Sequence, residues 1–392
     1  MKTKNKATFL FLCIAFTLST AAAAAQQRED SRDERASGVG ISGIRWEPIG
    51  QAKLRPRSKP AETVTIPVPG KPPKASAGRP DEVVLRGVNI HEGTVYRVAV
   101  PARELARLSR VVHQLGIDRG AVSDGSRREL AEVVEPASLA KGWSLDHDSR
   151  IRFTNTTEYP FRAIGTLYDG SGDCTGTRIG RRIVLTAAHC IYNRATDTWA
   201  SNFNFKPGRN GEASAPYGSS GPHWYWVPDD YWMQPDGVDV NRWDIAVVVL
   251  DQAVGNGWMG YAALSGSSLT SKDLRMRGYP RCNTAGAPNG CDPKTLWGDT
   301  KLCDLGTFFS PDSDGWNREI TTNCDGSDGQ SGSSFYYNTS DGLAATIGVF
   351  SGHYCLGACA PAAEQYDAYP NVITRITPEY LDVINWFQAE YP

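Results

Sequence analysis

The 392-residue sequence has little net charge, no long apolar segment beyond its N-terminus, and no C-x-x-C pair of cysteines. A formal net charge of −2 provides no basic field for nucleic acid. After residue 25, no apolar run is long enough to span a membrane, so we expect a soluble mature protein with no membrane partner. The missing C-x-x-C spacing argues against zinc binding by the cysteines, and we expect neither a metal nor a cofactor.

The N-terminus has the pattern of a secretory signal peptide. Lysines at positions 2, 4 and 6 precede an apolar run from Ala7 to Leu18, and five alanines follow, ending at Ala25. A charged start, a short apolar stretch and small residues at the cleavage point are the features of such a peptide. We therefore expect removal of residues 1–25 and export to the extracellular space or the periplasm.

The region 26–142 contains no cysteine and no recognisable catalytic motif. It begins with a charged stretch at Arg28–Arg35, and a Pro/Lys/Arg-rich segment over 54–80 predicts an extended linker. Residues 81–100 then alternate as a strand does, and 101–115 carry leucines and valines at helical spacing. We interpret this region as a propeptide, and a retained accessory domain is the alternative.

From residue 150 onward the sequence predicts an all-β domain. Short apolar or β-branched runs stand between loops rich in Gly, Asn, Asp and Ser, which is the pattern of many short strands. The runs are 163–168, 182–186, 245–250, 344–350 and 372–376. Pro378 followed by Glu379–Ala389 predicts a C-terminal helix.

Three short segments supply a histidine, an aspartate and a serine in that order. His189 lies in Leu185–Cys190, Asp244 begins a fully apolar run, and Ser331 lies in Asp328–Ser333. A serine hydroxyl is a weak nucleophile and needs a base within hydrogen-bond reach, which an imidazole provides near neutral pH. A buried carboxylate fixes the imidazole tautomer. We therefore assign Ser331 as nucleophile, His189 as general base and acid, and Asp244 as the orienting group.

The glycine before the serine has its own role in this scheme. Backbone N–H groups must turn inward to hold the oxyanion, and a side chain at Gly329 would obstruct that turn. We expect the N–H groups of Gly329 and Ser331 to form the oxyanion hole.

These motifs resemble those of the chymotrypsin-like serine endopeptidases, which have the trypsin fold. The resemblance depends on TAAHC at 186–190, WDIAVV at 243–248 and GQSGS at 329–333, and it covers roughly residues 150–390. The glutamine before the serine is similar to the bacterial glutamyl-endopeptidase branch, as are residues 150–156 and 159–164. The resemblance implies two six-stranded antiparallel barrels with a C-terminal helix, formed by a protease domain over 143–392, and polypeptide substrates.

Two other functions remain open from the sequence. A secreted binding protein could use the same fold without catalysis, and an esterase could use the same triad. The chain order His, Asp, Ser separates it from the α/β-hydrolases and the subtilisins. We expect a monomer.

The cysteines agree with export. Cys13 lies in the signal segment, and the other eight of the nine lie between positions 174 and 359, which argues for four disulfides. The resemblance implies Cys174–Cys190 beneath the catalytic histidine. The remaining expected pairs are Cys282–Cys291, Cys303–Cys324 and Cys355–Cys359, with Cys324–Cys355 as a competing pair.

The substrate pocket is where the chain departs from the glutamyl-endopeptidase branch. Gly326 stands where the branch has a threonine, and Phe350 stands where it has a histidine. Asp325 lies six residues before Ser331, the spacing of the pocket carboxylate in trypsin-like enzymes, although it could point to solvent. A carboxylate in the pocket would favour lysine or arginine substrates by ion pairing. We therefore hypothesise a preference for basic residues, with small or apolar residues next.

Activation should also differ from that of trypsin-like zymogens. Those proteins use an aspartate before the serine to bind a new N-terminus, and Gln330 takes that position here. We expect cleavage near 141–149, with Lys141–Gly142 as a plausible bond for a protease acting on itself.

Overall fold

The computed structural model describes residues 43–54, 81–114, 148–168, 173–201, 203–234, 240–284, 286–308, 317–353 and 371–392. The predicted signal peptide, most of the predicted linker and the Cys355–Cys359 pair lie outside the described residues. Among the residues described, no helix has the length and apolar character needed to cross a membrane.

Strands dominate the structure. They are β1 (Arg45–Gln51), β2 (Glu82–Asn89), β3 (Thr94–Pro101), β4 (Arg150–Phe153), β5 (Ile164–Tyr168), β6 (Asp173–Arg178), β7 (Ile183–Thr186), β8 (Tyr192–Asn193), β9 (Thr198–Trp199), β10 (Asn204–Pro207), β11 (Pro222–Pro228), β12 (Ala246–Leu250), β13 (Gly260–Tyr261), β14 (Leu274–Gly278), β15 (Leu296–Asp299), β16 (Leu305–Phe308), β17 (Glu319–Thr322), β18 (Ser334–Asn338), β19 (Ala344–His353) and β20 (Asn371–Arg375). The α-helices are α1 (Ala102–Gln114), α2 (Ala188–Ile191), α3 (Asp229–Met233), α4 (Gly266–Leu269) and α5 (Pro378–Glu390). Two 3-10 turns span Phe161–Ala163 and Asn241–Trp243.

The first sheet has nine antiparallel strands in the order β1-β3-β2-β11-β12-β7-β6-β5-β10. The six strands from β11 to β10 in this order belong to the predicted protease domain, and β1, β2 and β3 come from the N-terminal region. Both β7 and β12 are buried along their whole length, which is why β12 is entirely apolar and β7 is apolar as far as Thr186. The sheet places the ends of these two neighbouring strands side by side.

The second sheet also has nine strands. Eight follow the order β16-β17-β20-β19-β18-β14-β15-β4, and β13 pairs with β19 in parallel. The predicted all-β fold with a C-terminal helix is confirmed. Closure of either sheet into a barrel stays a prediction.

The N-terminal region is built into the first sheet. The alternation over 81–100 becomes the hairpin β2–β3, and β2 pairs with β11 through the register Val88↔Tyr225. Helix α1 packs on the C-terminal helix α5, where Asn385 Nδ2 donates to Ser109 Oγ and Ser109 Oγ donates to Asp382. Leu105 of α1 is fully buried. Residues 81–114 therefore contribute to a core that also contains residues of the predicted protease domain.

Candidate active site

His189 and Asp244 meet where two paired strands end. Strand β7 leads into α2, which carries His189, and Asp244 lies just before β12, whose Ala246 pairs with Thr186 of β7. Nδ1 of His189 lies 2.7 Å from Oδ2 of Asp244, and the backbone N–H of His189 donates to Oδ1 at 2.8 Å. The carboxylate thus fixes Nδ1 as the protonated nitrogen, and Nε2 then carries the lone pair.

Ser351 of β19 is a further partner of Asp244. Its hydroxyl donates to Oδ2 of Asp244 and lies 3.2 Å from Oδ1 of Asn241. The carboxylate therefore accepts hydrogen bonds from two side chains and one backbone amide, which holds it in a single orientation. Sequence reasoning missed Ser351. The available signal was a small polar residue following the apolar run 344–350.

The backbone of Ser331 is held beside the histidine. Its carbonyl accepts from Thr175 N at 2.8 Å and lies 3.7 Å from Sγ of Cys190. The same sulfur lies 4.0 Å from Nε2 of His189. The structure therefore brings the backbone of Ser331 close to His189, which contacts Asp244, although the three residues are far apart in the chain.

The loop before Ser331 makes a tight turn at Gly329. Gly329 has a φ of +89°, and a Cβ there would lie 2.6 Å from Arg281 N and 2.7 Å from Tyr279 O. The carbonyl of Asp328 accepts from Arg281 N at 2.6 Å, so the N–H of the same trans peptide points the opposite way. Within the described part of the chain, no acceptor takes the N–H of Gly329 or of Ser331.

A buried arginine contacts the loop that carries Ser331. The Arg150 side chain is fully buried, and Asp148 binds it through Nε at 2.8 Å and Nη2 at 2.7 Å. Its Nη1 donates to Oε1 of Gln330 at 2.6 Å and to Oγ of Ser327 at 2.7 Å. Nη2 also donates to the carbonyl of Gly286 at 2.6 Å. No sequence pattern indicated this contact, because a charged residue in a strand is usually exposed.

Asp325 does not occupy the environment expected of a carboxylate that binds basic substrates. It is buried, and its Oδ2 accepts from Ser149 N at 2.8 Å. Its own N–H donates to Oδ2 of Asp299 at 2.8 Å. Burial and the neighbouring charge of Asp299 raise the pKa of Asp325 well above its usual range. A carboxyl that is turned inward and held neutral argues against the hypothesised ion pair with lysine or arginine.

Phe350, the second residue expected in the pocket, belongs to the core. Its side chain is buried among the apolar residues of the second sheet, including Phe335 and Ile373. Its ring covers Gly326 so closely that a Cβ at Gly326 would lie 2.6 Å from a ring atom. The ring therefore requires glycine at position 326, where the branch has threonine.

Three of the expected cysteine pairs are bonded in the structure. Their Cα–Cα distances are 6.2 Å for Cys174–Cys190, 5.3 Å for Cys282–Cys291 and 5.0 Å for Cys303–Cys324. Because Cys324 is bonded to Cys303, the competing pair Cys324–Cys355 is not formed.

Comparison with known proteins gives consistent matches. The family model described as Trypsin matches residues 150–384, which is more than half of the chain. The glutamyl endopeptidase of Bacillus licheniformis is 32% identical over 274 residues, covering 67% of this chain and 76% of that protein. The extracellular metalloprotease of Bacillus subtilis is 32% identical over 229 residues, covering 55% of this chain and 64% of that protein.

Among solved structures, one of a Glu endopeptidase in complex with MPD matches with a TM-score of 0.48 and 22% identity. The match covers 62% of this chain and 97% of that one. The family match over residues 150–384 coincides with the part of the chain that carries His189, Asp244 and Ser331. The chain belongs to the trypsin family and is a serine endopeptidase, whose substrates are polypeptides.

Proposed function

We propose that Ser331, His189 and Asp244 form the catalytic triad and that the amides of Gly329 and Ser331 form the oxyanion hole. The observation that carries this proposal is the pair of hydrogen bonds from His189 to Asp244, one from Nδ1 and one from the backbone N–H. They fix both the tautomer and the position of the imidazole, which is what a general base needs.

The reaction follows from this arrangement. Oγ of Ser331 attacks the carbonyl carbon of the scissile peptide while Nε2 of His189 takes the hydroxyl proton. The negative charge on the tetrahedral oxygen is held by the amides of Gly329 and Ser331. His189 then returns the proton to the leaving amine, and an acyl-enzyme remains. Water, deprotonated by His189, attacks the ester and restores Ser331.

The chain is proposed to be exported and then processed near 141–149. In support, the signal-like N-terminus ends at Ala25, and the family match begins at residue 150, directly after the proposed processing region. Since β2 is hydrogen-bonded to β11, cleavage would leave the N-terminal region seated on the protease domain as a second fragment. The processed protein is proposed to be a monomer that retains both fragments.

The preferred residue before the cleaved bond is proposed to be glutamate. One relative is named a glutamyl endopeptidase, and the inward position of Asp325 removes the argument for basic residues. The candidate partner of a substrate carboxylate is His353, two residues beyond Ser351 at the end of β19. Burial lowers the pKa of His353, and the charge of Asp328, the residue before Gly329, opposes that effect. His353 lies in the same strand as Ser351, whose hydroxyl donates to Asp244.

The test is cleavage-site mapping by mass spectrometry on a denatured protein mixture of diverse sequence. Wild-type protein and Ser331→Ala are processed and purified identically. Cuts that occur only with the wild type support the triad. The preference is supported if glutamate precedes most cuts made by the wild type and no longer does so for His353→Gln. Basic residues before the cuts would overturn the preference but not the triad. Absence of cuts by folded, processed wild type would favour the inactive binding protein.

A further inference from the structure

A second cluster of ligating side chains lies away from the triad, where the N-terminal region meets the protease domain. His91 lies in the turn between β2 and β3, His223 lies in β11, and Asp251 directly follows β12. These three residues are contributed by three different segments of the chain, one before the proposed processing region and two after it. None of them takes part in the proposed reaction.

The three side chains converge on one oxygen. Nε2 of His91 lies 2.6 Å from Oδ1 of Asp251, and Nδ1 of His223 lies 3.3 Å from the same atom. All three ligand atoms lie within 4.8 Å of one another, and the two imidazole rings are 5.2 Å apart at an angle of 57°. The nitrogens of both rings thus face the carboxylate from different directions.

Hydrogen bonds to the backbone fix the positions of the three segments. Oδ1 of Asn89 accepts from the N–H groups of His91 and Glu92, at 3.0 and 3.2 Å, which fixes the turn. The carbonyl of His223 accepts from Ile90 N at 3.1 Å, and Asp251 N donates to Gly221 O at 3.0 Å. Each ligand therefore starts from a position set by a sheet or a hydrogen-bonded turn, which lowers the entropy cost of binding an ion.

Two imidazoles and one carboxylate form a ligand set for a divalent transition metal. A tetrahedral zinc ion with bonds of about 2.0–2.1 Å holds its ligand atoms about 3.3 Å apart, the separation already present between His223 and Asp251. Only His91 must move, and its side chain is 56% exposed, so its rotation meets little resistance. We propose that His91, His223 and Asp251 bind a zinc-class divalent cation, with water in the remaining coordination position.

Such an ion would link the N-terminal region to the protease domain. A metal that binds the folded chain and not the unfolded one stabilises the fold by mass action. Because His91 lies in the N-terminal region and the other two ligands lie in the protease domain, the ion would oppose separation of β2–β3 from β11. This consequence rests on the proposed processing, whereas the metal site itself does not.

The test uses the full chain carrying Ser331→Ala, so that its outcome does not depend on catalysis or self-cleavage. The protein is stripped of metal with a chelator and titrated with Zn²⁺ by calorimetry and with Co²⁺ by visible absorption. We expect one cation per chain, a Co²⁺ spectrum of a low-coordinate nitrogen and oxygen site, and a higher unfolding temperature with Zn²⁺. His91→Gln, His223→Gln and Asp251→Asn should each lower the affinity at least about tenfold.

The matched control is Glu92→Gln, which removes a charge from the same turn without removing a proposed ligand. It should bind Zn²⁺ as the parent does. The His91→Gln change lies in an exposed turn, so this variant is expected to fold with the unfolding temperature of the metal-free parent. Absence of binding by the parent would overturn the proposal, as would binding that is unchanged in all three ligand variants, since the ion would then lie elsewhere.

Discussion

The buried guanidinium of Arg150 donates a hydrogen bond of 2.6 Å to Oε1 of Gln330, the residue directly before Ser331. Trypsin-like zymogens hold this part of the loop with an aspartate that binds a new N-terminus. Here a neutral amide takes that position, and the cation comes from a side chain inside strand β4. The charge of Arg150 is balanced by Asp148 two residues earlier. The order of the nucleophile loop therefore depends on how strand β4 and the residues before it are seated.

This relationship predicts a loss of catalysis when Arg150 is replaced. Arg150→Met should lower kcat about 10- to 100-fold with a smaller change in KM, because the loop carrying Ser331 and Gly329 loses its anchor and small displacements of reacting groups are costly. Arg150→Lys should recover part of the loss, since it keeps the charge but not the forked geometry. The measurement is steady-state kinetics with the active enzyme concentration determined by titration.

Arg152→Met is the control for Arg150→Met. Arg152 lies on the same strand, and its side chain is 28% exposed where it pairs with Asp292. Its kcat should stay close to wild type. Equal kcat values for the two variants would contradict a positioning role for Arg150. Removing one partner of a buried ion pair also destabilises the fold, and unfolding curves measure that effect separately.

Asp244→Asn tests the orienting carboxylate. The amide leaves the shape unchanged, but its NH₂ group cannot accept from Nδ1 of His189, so the imidazole adopts the wrong tautomer. We expect kcat to fall about 10⁴-fold. Asp304→Asn removes an exposed carboxylate and should have no effect on kcat. A loss of less than tenfold in Asp244→Asn would show that another group orients the base.

Gly329→Ala tests the oxyanion hole. The added methyl meets backbone atoms of Tyr279 and Arg281, and the φ of +89° is unfavourable for alanine. Turning the Gly329 amide away from the oxyanion should cost about 10²–10³ in kcat.

Gly342→Ala separates backbone strain from the loss of the Gly329 amide. Gly342 has a φ of +79°, but a Cβ there meets nothing within 4 Å. This variant should lose only about 1–2 kcal/mol of stability and keep its kcat. A similar kcat in both glycine variants would refute the assigned role of Gly329.

Asp325→Asn tests both the pH dependence of stability and the substrate preference. The pKa of Asp325 is raised in the folded state, so its contribution to stability is complete below the unfolded pKa of about 3.9 and is lost as the pH rises toward the folded pKa. Asparagine has no such titration. The unfolding temperature of the variant relative to wild type should therefore increase steadily from pH 4 upward, as measured by thermal unfolding in a series of buffers.

The same variant should keep its order of preference among lysine, glutamate and phenylalanine substrates. A selective loss of lysine turnover would restore Asp325 to the substrate pocket.

Leu105→Ala tests whether the N-terminal region supports the fold. Leu105 is fully buried in α1, on the region that packs against α5 and the first sheet. Replacing the leucine side chain with a methyl group should reduce the free energy of unfolding by about 2–5 kcal/mol. Arg103→Ala, an exposed position on the same helix, should change it by less than about 0.5 kcal/mol. Denaturant unfolding of the unprocessed Ser331→Ala chain gives both values, and equal stabilities would mean that α1 is dispensable.

The local elements of the fold were predictable because their signals lie within a few residues. The alternation over 81–100 predicted the β2–β3 hairpin, and the helical spacing over 101–115 predicted α1 at Ala102–Gln114. The predicted C-terminal helix is present at Pro378–Glu390, with Thr377 as its N-cap. The short motifs around His189, Asp244 and Ser331 were likewise recognised from adjacent residues.

The contacts that complete the site could not be predicted from such local patterns. Ser351 and Asp244 are 107 residues apart, Arg150 and Gln330 are 180 apart, and His91 and Asp251 are 160 apart. Sequence patterns determine which face of an element is buried, but not which distant element covers it, because that depends on the packing of the whole sheet. The sequence by itself determined the family, the all-β class, the β2–β3 hairpin and the C-terminal helix. The tertiary structure decided that Asp325 turns inward, that Arg150 binds the residue before Ser331, and that the N-terminal strands extend the first sheet.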